Sequence, residues 1–407
     1  MSASHVFCGL WAASILVSER AVWAADKPDI VGRWDITIQD GNRQPVGAAW
    51  LGVKQEDGKL VAVFQPEAGG PGPVAEIKFE NGLLEFRTGE RLWKGRLAGG
   101  QIVGEVTRGN EKRPFVARRF APRPEVAGTW AVVLAGGRGQ QEAKLVLRDD
   151  GKSISGTWTG ARGRELPIQE ARLEDGVLSF TIERAGRGGG GRQTVAYSGR
   201  VAGDRMVGKF GPAGRQEREW SATRQREWGE PIKLFNGKDL TGWKLIGGES
   251  FGNWKVENGE LVNTAAGPNI RTIDTFRDFK LHIEFNVPEH GNSGVYLRGR
   301  YEVQIADDHG KGPSPGGCGS MYGRIVASEN ASKPAGEWNA FDITLIGQYV
   351  TVVLNGKTVI DNQEIEGITG GAIDSYEEEP GPIYLQGDHS ALKYRNIVLT
   401  PAKPAGQ

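Results

Sequence analysis

Cysteine is nearly missing from this chain of 407 residues, which has two: Cys8 and Cys318. Cys8 falls in an apolar run, residues 6–17, that reads as an export signal closing on the small-x-small tripeptide Val22-Trp23-Ala24, although no Lys or Arg precedes it. With residues 1–25 removed as a signal peptide, Cys318 has no partner and no internal disulfide can form. That suits a Gram-negative periplasm or the cell exterior better than a disulfide-stapled scaffold. Long apolar runs are also lacking: residues 6–17 are too short to span a bilayer, and no later segment is apolar enough, so no membrane span is expected. No stretch has a helical apolar period.

Net charge is absent as well, at a formal zero, but it is unevenly spread. Residues 26–230 hold 33 basic and 27 acidic side chains, against 16 and 22 in residues 231–407. The arginines of the front half form no dense run and are not interleaved with stacking aromatics, which argues against nucleic acid as a partner. What the chain does have is glycine, 61 residues, and tryptophan, 12. Short runs of Val, Ile, Leu and Phe keep meeting Asn-Gly, Asp-Gly and Gly-Gly, the punctuation of antiparallel β-structure. The length calls for two or three domains, and the pattern for an all-β protein.

The front half repeats itself. "VGRWDITI" at Val31 returns as "AGTWAVVL" at Ala127, "ENGLLEF" at Glu80 as "EDGVLSF" at Glu174, and "WKGRLAGGQIVGEV" at Trp93 as "YSGRVAGDRMVGKF" at Tyr197. Each copy, residues 26–123 and 124–226, reads as six to eight short strands, opening on Gly-x-Trp and closing on a strand that ends in Arg. A small up-and-down barrel removes the edges of such a sheet, and the pattern resembles lipocalin-like or avidin-like barrels. Trp34 and Trp130 are read as plugs at the barrel base in preference to walls of a ligand cavity. The insert "AGRGGGGRQ", residues 185–193, is a flexible loop tip by composition and lacks the Gly-Lys-Ser/Thr ending of a phosphate loop. Neither copy gathers a catalytic set of residues. Both are therefore expected to act as spacers or attachment modules.

The polar stretch "TRQREWGEP", residues 223–231, marks a boundary, and residues 230–403 form the last domain. Asn258-Gly259 and Asn355-Gly356 between β-rich flanks predict type I′ hairpins, and about a dozen strands predict a two-sheet sandwich. In "GNSGVYLRGRYEVQI", residues 291–305, a three-residue connection over residues 299–301 pairs Arg298 with Glu302. It also keeps Val295, Leu297, Val303 and Ile305 on the core side. Tyr296, Arg298, Glu302 and Gln304 then share the other face. "FKLHIEFNV" likewise leaves His282 and Glu284 opposite its apolar set, and "PIYLQGDH" leaves Tyr384, Gln386 and Asp388 opposite Ile383 and Leu385. His, Tyr, Arg, Gln and carboxylates are what grips sugar hydroxyls, so the constellation predicts a carbohydrate site.

Those motifs, with "FNGKDLTGW", "GEWN", "LNGKTV" and "GPIYLQGDH" followed by "YRNI", resemble the 3-keto-disaccharide hydrolase family of concanavalin-like domains. The resemblance implies a jelly-roll sandwich that cleaves glycosides oxidised at C3, by hydrolysis or elimination. Its motif positions fall on Asn292, Ser293, Arg298, Glu302, Gln304, Trp338, Asn339, Gln386 and His389, with Ser390 standing where the family has Gly. A ketone at C3 acidifies the C2 proton, so a base can remove it and expel the C1 substituent. His389 or Glu302 could be that base and Arg298 the oxyanion partner. His282, Glu284, Asn292, Tyr296, Gln304, Trp338, Gln386 and Asp388 would bind substrate. Glu-x-Asp-x-x-Glu, the paired carboxylates of retaining glucanases, is absent, which disfavours ordinary double displacement. The rival reading is a non-catalytic, lectin-like carbohydrate-binding protein. No cofactor is called for, and a divalent metal is left open: Asp374 with Glu377, Glu378 and Glu379 reads as a solvated acidic run before a Ca²⁺ loop. Cys318, in a Gly-Pro loop, reads as a packing residue. Oligomeric state is not legible.

Overall fold

In the computed structural model the described residues are 29–135, 139–185, 191–212, 215–247 and 249–404. The export-signal run, Cys8 and the centre of the 185–193 insert lie outside them. The described residues contain strands and turns and no helix. The Asn-Gly turns form as their chemistry requires: Asn258 and Gly259 have φ of 53° and 78°, Asn355 and Gly356 of 52° and 81°.

The first copy is a nine-stranded sheet, Gly32–Gln39 to Glu111–Phe120, rolled almost closed; the second is a closed eight-stranded barrel, Gly128–Leu134 to Arg218–Arg224. Aromatic side chains fill both. Phe64, Phe86, Trp93 and Phe115 pack in the first, and Trp158, Phe180, Tyr197, Phe210 and Trp220 in the second. Trp34 and Trp130 are fully buried plugs. Their indole N–H groups donate to the carbonyls of Ile30 at 2.8 Å and Val126 at 2.9 Å, and Arg119 and Arg224 lie over the two rings. Gly-x-Trp and the closing Arg are therefore one device, used twice.

The last domain is a jelly-roll sandwich of an eight-stranded and a five-stranded sheet. The apolar residues of Phe279–Asn286, Asn292–Leu297 and Tyr301–Ala306 meet between the sheets. The first barrel docks on it through the outward face of its opening strand. Arg33 donates to Glu364 at 2.7 Å, the Thr37 and Ser375 hydroxyls lie 3.0 Å apart, and Trp50 of the next strand packs with Ile368. The second barrel is held by a two-pronged Arg205–Asp361 pair at 2.9 and 2.6 Å.

If Trp130 is the plug of its barrel, Trp130→Ala should destabilise the protein by about 3–5 kcal/mol. Trp130→Phe, which keeps one six-membered ring but loses the bond to Val126 and part of the packing, should cost less, about 1–3 kcal/mol. Thermal unfolding followed by near-ultraviolet circular dichroism distinguishes the two.

Candidate functional site

The pairing of Asn292–Leu297 with Tyr301–Ala306 sets the site. Tyr296 opposes Glu302, Leu297 opposes Tyr301, and the connection is Arg298-Gly299-Arg300. The loop has three residues as expected, but its register is displaced by two from the expected Arg298–Glu302 pairing. An even displacement preserves parity. Tyr296, Glu302 and Gln304 therefore do share the outer face of the five-stranded sheet, joined by Asn292 beside them and by Gln386, Asp388 and His389 after Tyr384–Leu385.

Arg298 does not join them. Its φ of 53° breaks the strand alternation, and its guanidinium is buried beneath the turn, donating to the carbonyls of Gly347 and Glu377 with Tyr301 alongside. It fastens two loops and is removed from the expected oxyanion role. His282, Glu284 and Trp338 are corrected too, because parity fixes which face of a sheet a side chain takes but not which sheet. They lie together on the outer face of the eight-stranded sheet, on the far side of the core. There His282 Nδ1 meets Asp342 at 2.7 Å, Glu284 accepts from Arg395 at 2.6 Å, and Arg395 covers the Trp338 ring.

The seven remaining residues line one pocket of about 760 Å³ with Asn269, Tyr322 and Tyr384. Glu302 lies across Gly294, where any Cβ would overlap its carboxyl group. The Tyr296 hydroxyl is 2.8 Å from Glu302 Oε2 and 2.7 Å from the Gly370 carbonyl. One phenol proton cannot serve two acceptors. The arrangement is satisfied when Tyr296 donates to Gly370 and a protonated Glu302 donates to Tyr296. Burial acts the same way, pushing the Glu302 carboxyl up to about 8; the Tyr296 hydroxyl works against it and the Asp388 charge adds to it. Tyr384 stacks on Tyr296 with ring centres 4.1 Å apart.

His389 Nδ1 is 2.6 Å from Asp388 Oδ1; in the tautomer whose Nδ1–H donates to that carboxylate, Nε2 is an acceptor. The loop that carries the pair is tied down by Ser390, whose hydroxyl accepts from the Asn292 N–H at 3.0 Å and donates to its carbonyl at 2.8 Å. The departure from Gly at this position thus pins the loop to the site strand. Gln304 donates to Asn292 Oδ1 at 2.8 Å, while its side-chain oxygen and that of Gln386 are buried without a donor among the described residues. Two orphan acceptors in a pocket wall call for hydroxyl or amide donors from a ligand. Ser293 and Asn339 are structural: Ser293 bonds the Gln386 carbonyl at 2.8 Å, and Asn339 accepts from Asn355 at 2.8 Å.

The acidic run is not solvated at Glu377, which is fully buried and accepts from the Tyr301 hydroxyl at 2.7 Å, while Asp374 holds Arg300 at 2.5 Å. No cluster of three or more His, Cys, Asp or Glu suited to a metal occurs among the described residues. Cys318 is buried, and burial pushes its thiol up to about 12.

Sequence reasoning missed the first barrel. Thr37, Pro45, Val46, Gly47, Ala68 and Gly69 complete the pocket wall, so this copy is no mere spacer. A signal was present in the repeat: Arg33, Asp35 and Thr37, which face the sandwich, stand where the second copy has Thr129, Ala131 and Val133. Charge gained on one copy at outward positions marks a docking face.

A jelly-roll domain with a polar pocket on one sheet, floored by amides, a carboxyl group and a His–Asp pair, is the class that fold and site define: a carbohydrate-active domain of glycosidase type. The family model described as a 3-keto-alpha-glucoside-1,2-lyase-like domain matches residues 230–400, and the chain belongs to that family through this domain. Among solved structures, a candidate glycosyl hydrolase from Parabacteroides distasonis ATCC 8503 is 32% identical over 42% of this chain and 82% of its own, with a TM-score of 0.36. A second protein of that organism, of the same description, is 29% identical over 42% of this chain and 98% of its own, with a TM-score of 0.35. A non-specific endo-beta-1,3(4)-glucanase from family GH16 is 8% identical over 44% of this chain and 91% of its own, with a TM-score of 0.30. No curated protein matches.

Two substitutions separate structure from chemistry here. Arg298→Lys should lower stability by about 1–3 kcal/mol, since buried carbonyls lose donors, and leave kcat within about twofold. Gly294→Ala should act on the chemistry instead, displacing Glu302 and lowering kcat at least tenfold, with a stability cost of about 1–3 kcal/mol from the overlap. Steady-state rates and melting curves on both variants check this.

Proposed function

We propose that this chain is an exported enzyme that cleaves 3-keto-glycosides, 3-keto-disaccharides among them, by elimination followed by hydration. The observation that carries the reading is a buried Glu302, its carboxyl pushed up to about 8, on the same pocket floor as the His389–Asp388 pair, beside two acceptors that lack donors among the described residues. An acid and a base held in different environments are what this elimination needs.

His389 Nε2 takes the C2 proton, made acidic by the C3 ketone. The released electron pair forms the C1=C2 double bond, the C1–O bond breaks, and the departing oxygen takes its proton from Glu302. Water then adds, its oxygen to C1 and a proton to C2, giving the free 3-keto sugar. Gln304 and Gln386 accept sugar hydroxyls, and the stacked Tyr296 and Tyr384 form part of the floor. Arg298 has no part in these steps. The export component rests on residues 6–17 and the Val22-Trp23-Ala24 site, and cell fractionation tests it: the bulk of the protein in the cytoplasm would end it.

The expected pH profile follows from the raised Glu302 carboxyl. Its neutral form dominates at pH 7 and is lost as the pH rises through about 8, so kcat should fall above that value. Glu302→Gln should lose at least about a hundredfold in kcat and with it the alkaline limb, the loss shrinking for leaving groups that need no proton. A purified protein that leaves 3-keto-trehalose, 3-keto-lactose and aryl 3-keto-glucosides intact would sink the proposal, and binding without turnover would favour the lectin-like alternative.

A further inference from the structure

The pocket has two unlike walls. The sandwich contributes the polar floor, whereas the first barrel contributes one hydroxyl, Thr37, and otherwise Pro45, Val46, Gly47, Ala68 and Gly69; Ala372 and Ile373 continue the apolar part, and Asp374, Ser375 and Tyr376 lie at its Thr37 end. Val46 is half-exposed at 51%, a large apolar side chain left open where the strand Pro45–Glu56 begins. A sugar lying against this wall would find few polar side chains for its hydroxyls, and an apolar group would bury Val46 at no such cost.

The barrel is built into this position. Gly370 touches Gly69 so closely that a Cβ would overlap the Gly69 carbonyl, a Cβ on Gly367 would run into the Trp50 ring, and one on Gly323 would strike Pro71. Three separate glycines of the sandwich are therefore shaped to the barrel. The Gly371 N–H donates to the Glu67 carbonyl at 2.8 Å, and the neighbouring Gly370 carbonyl is the one that holds Tyr296. The wall is thus fixed relative to Glu302 through one short peptide.

The geometry points to an apolar leaving-group subsite walled by the first barrel, so that the preferred glycoside carries an aryl or alkyl group, not a second sugar, on its anomeric carbon. This rests on the floor being the sugar site, as proposed above. The sugar turns its hydroxyls to Gln304 and Gln386, and the C1 substituent leaves Glu302 toward Val46. Selectivity therefore resides in a domain outside the matched residues 230–400.

The test is calorimetric binding of two unoxidised probes, methyl and 4-nitrophenyl glucosides in both anomeric forms, to the full chain. The aryl probe should bind at least about tenfold more tightly, the scale of burying part of one ring. Val46→Asp should collapse that ratio to below about threefold, because a charge now meets the ring, and Val46→Thr, nearly the same shape, should give an intermediate ratio. Equal affinity of the wild type for both probes, binding of neither, or a ratio that both variants leave untouched overturns the subsite. Turnover of 3-keto-glycosides is scored separately. A chain that shows the ratio but cleaves none of them keeps the subsite and loses the reaction, whereas one that cleaves them with no ratio keeps the reaction and loses the subsite.

Discussion

The Glu302 carboxyl group can lie out of water only because residue 294 has no side chain and residue 370 offers a carbonyl. An isolated carboxylate there would be costly, and the site avoids that cost by holding a proton and passing the hydrogen bond on through Tyr296. The rest follows from that constraint. Tyr296 must stand upright, which Tyr384 enforces by stacking on it; Gly370 must stay in place, which the first barrel enforces by packing on it. The proposed acid is thus stabilised by contacts that begin in another domain.

Much of this was legible in the sequence because strands alternate strictly. Val295, Val303, Ile283 and Leu385 had to share a core, so Tyr296, Glu302, Gln304, Gln386 and Asp388 had to face away from it. That conclusion survived a misplaced turn, since a register displaced by two keeps every side chain on its face. Arg298 was misread because the rule ends where the strand ends, and a residue with positive φ no longer alternates. His282, Glu284 and Trp338 were misread for a different reason. Alternation separates inward from outward, and a sandwich has two outward faces that only the order of strands in each sheet can tell apart.

The role of the first barrel was the least legible part. Its contribution is a long-range packing fact, carried by Trp50, Gly69 and the residues around 370, which no local pattern announces. The repeat held the one usable trace. Two copies of a barrel share inward residues because both must fill a core, whereas outward residues are free to differ until something docks on them. Arg33, Asp35 and Thr37 differ from their counterparts in that way, and all three turn toward the sandwich.

Asp35 shows what such docking demands. Glu377 lies near it across the junction, and its charge acts on the Asp35 carboxyl group. Neither Asp35 Oδ1 nor Glu377 Oε1 has a hydrogen-bond partner among the described residues. Burial pushes both carboxyls above their ordinary range, and for Asp35 the Glu377 charge pushes further. Two bare carboxylates buried near each other repel and are poorly solvated, so the pair is held with a proton. The sign then follows. Stability held by this proton is fully present below the ordinary carboxylate range and is lost as the pH rises through the raised values. Glu302 carries the same sign, through its own proton. The junction that positions Gly370 and the acid that Gly370 supports therefore both weaken on the alkaline side, which binds the domain interface and the proposed chemistry to a common upper limit of pH.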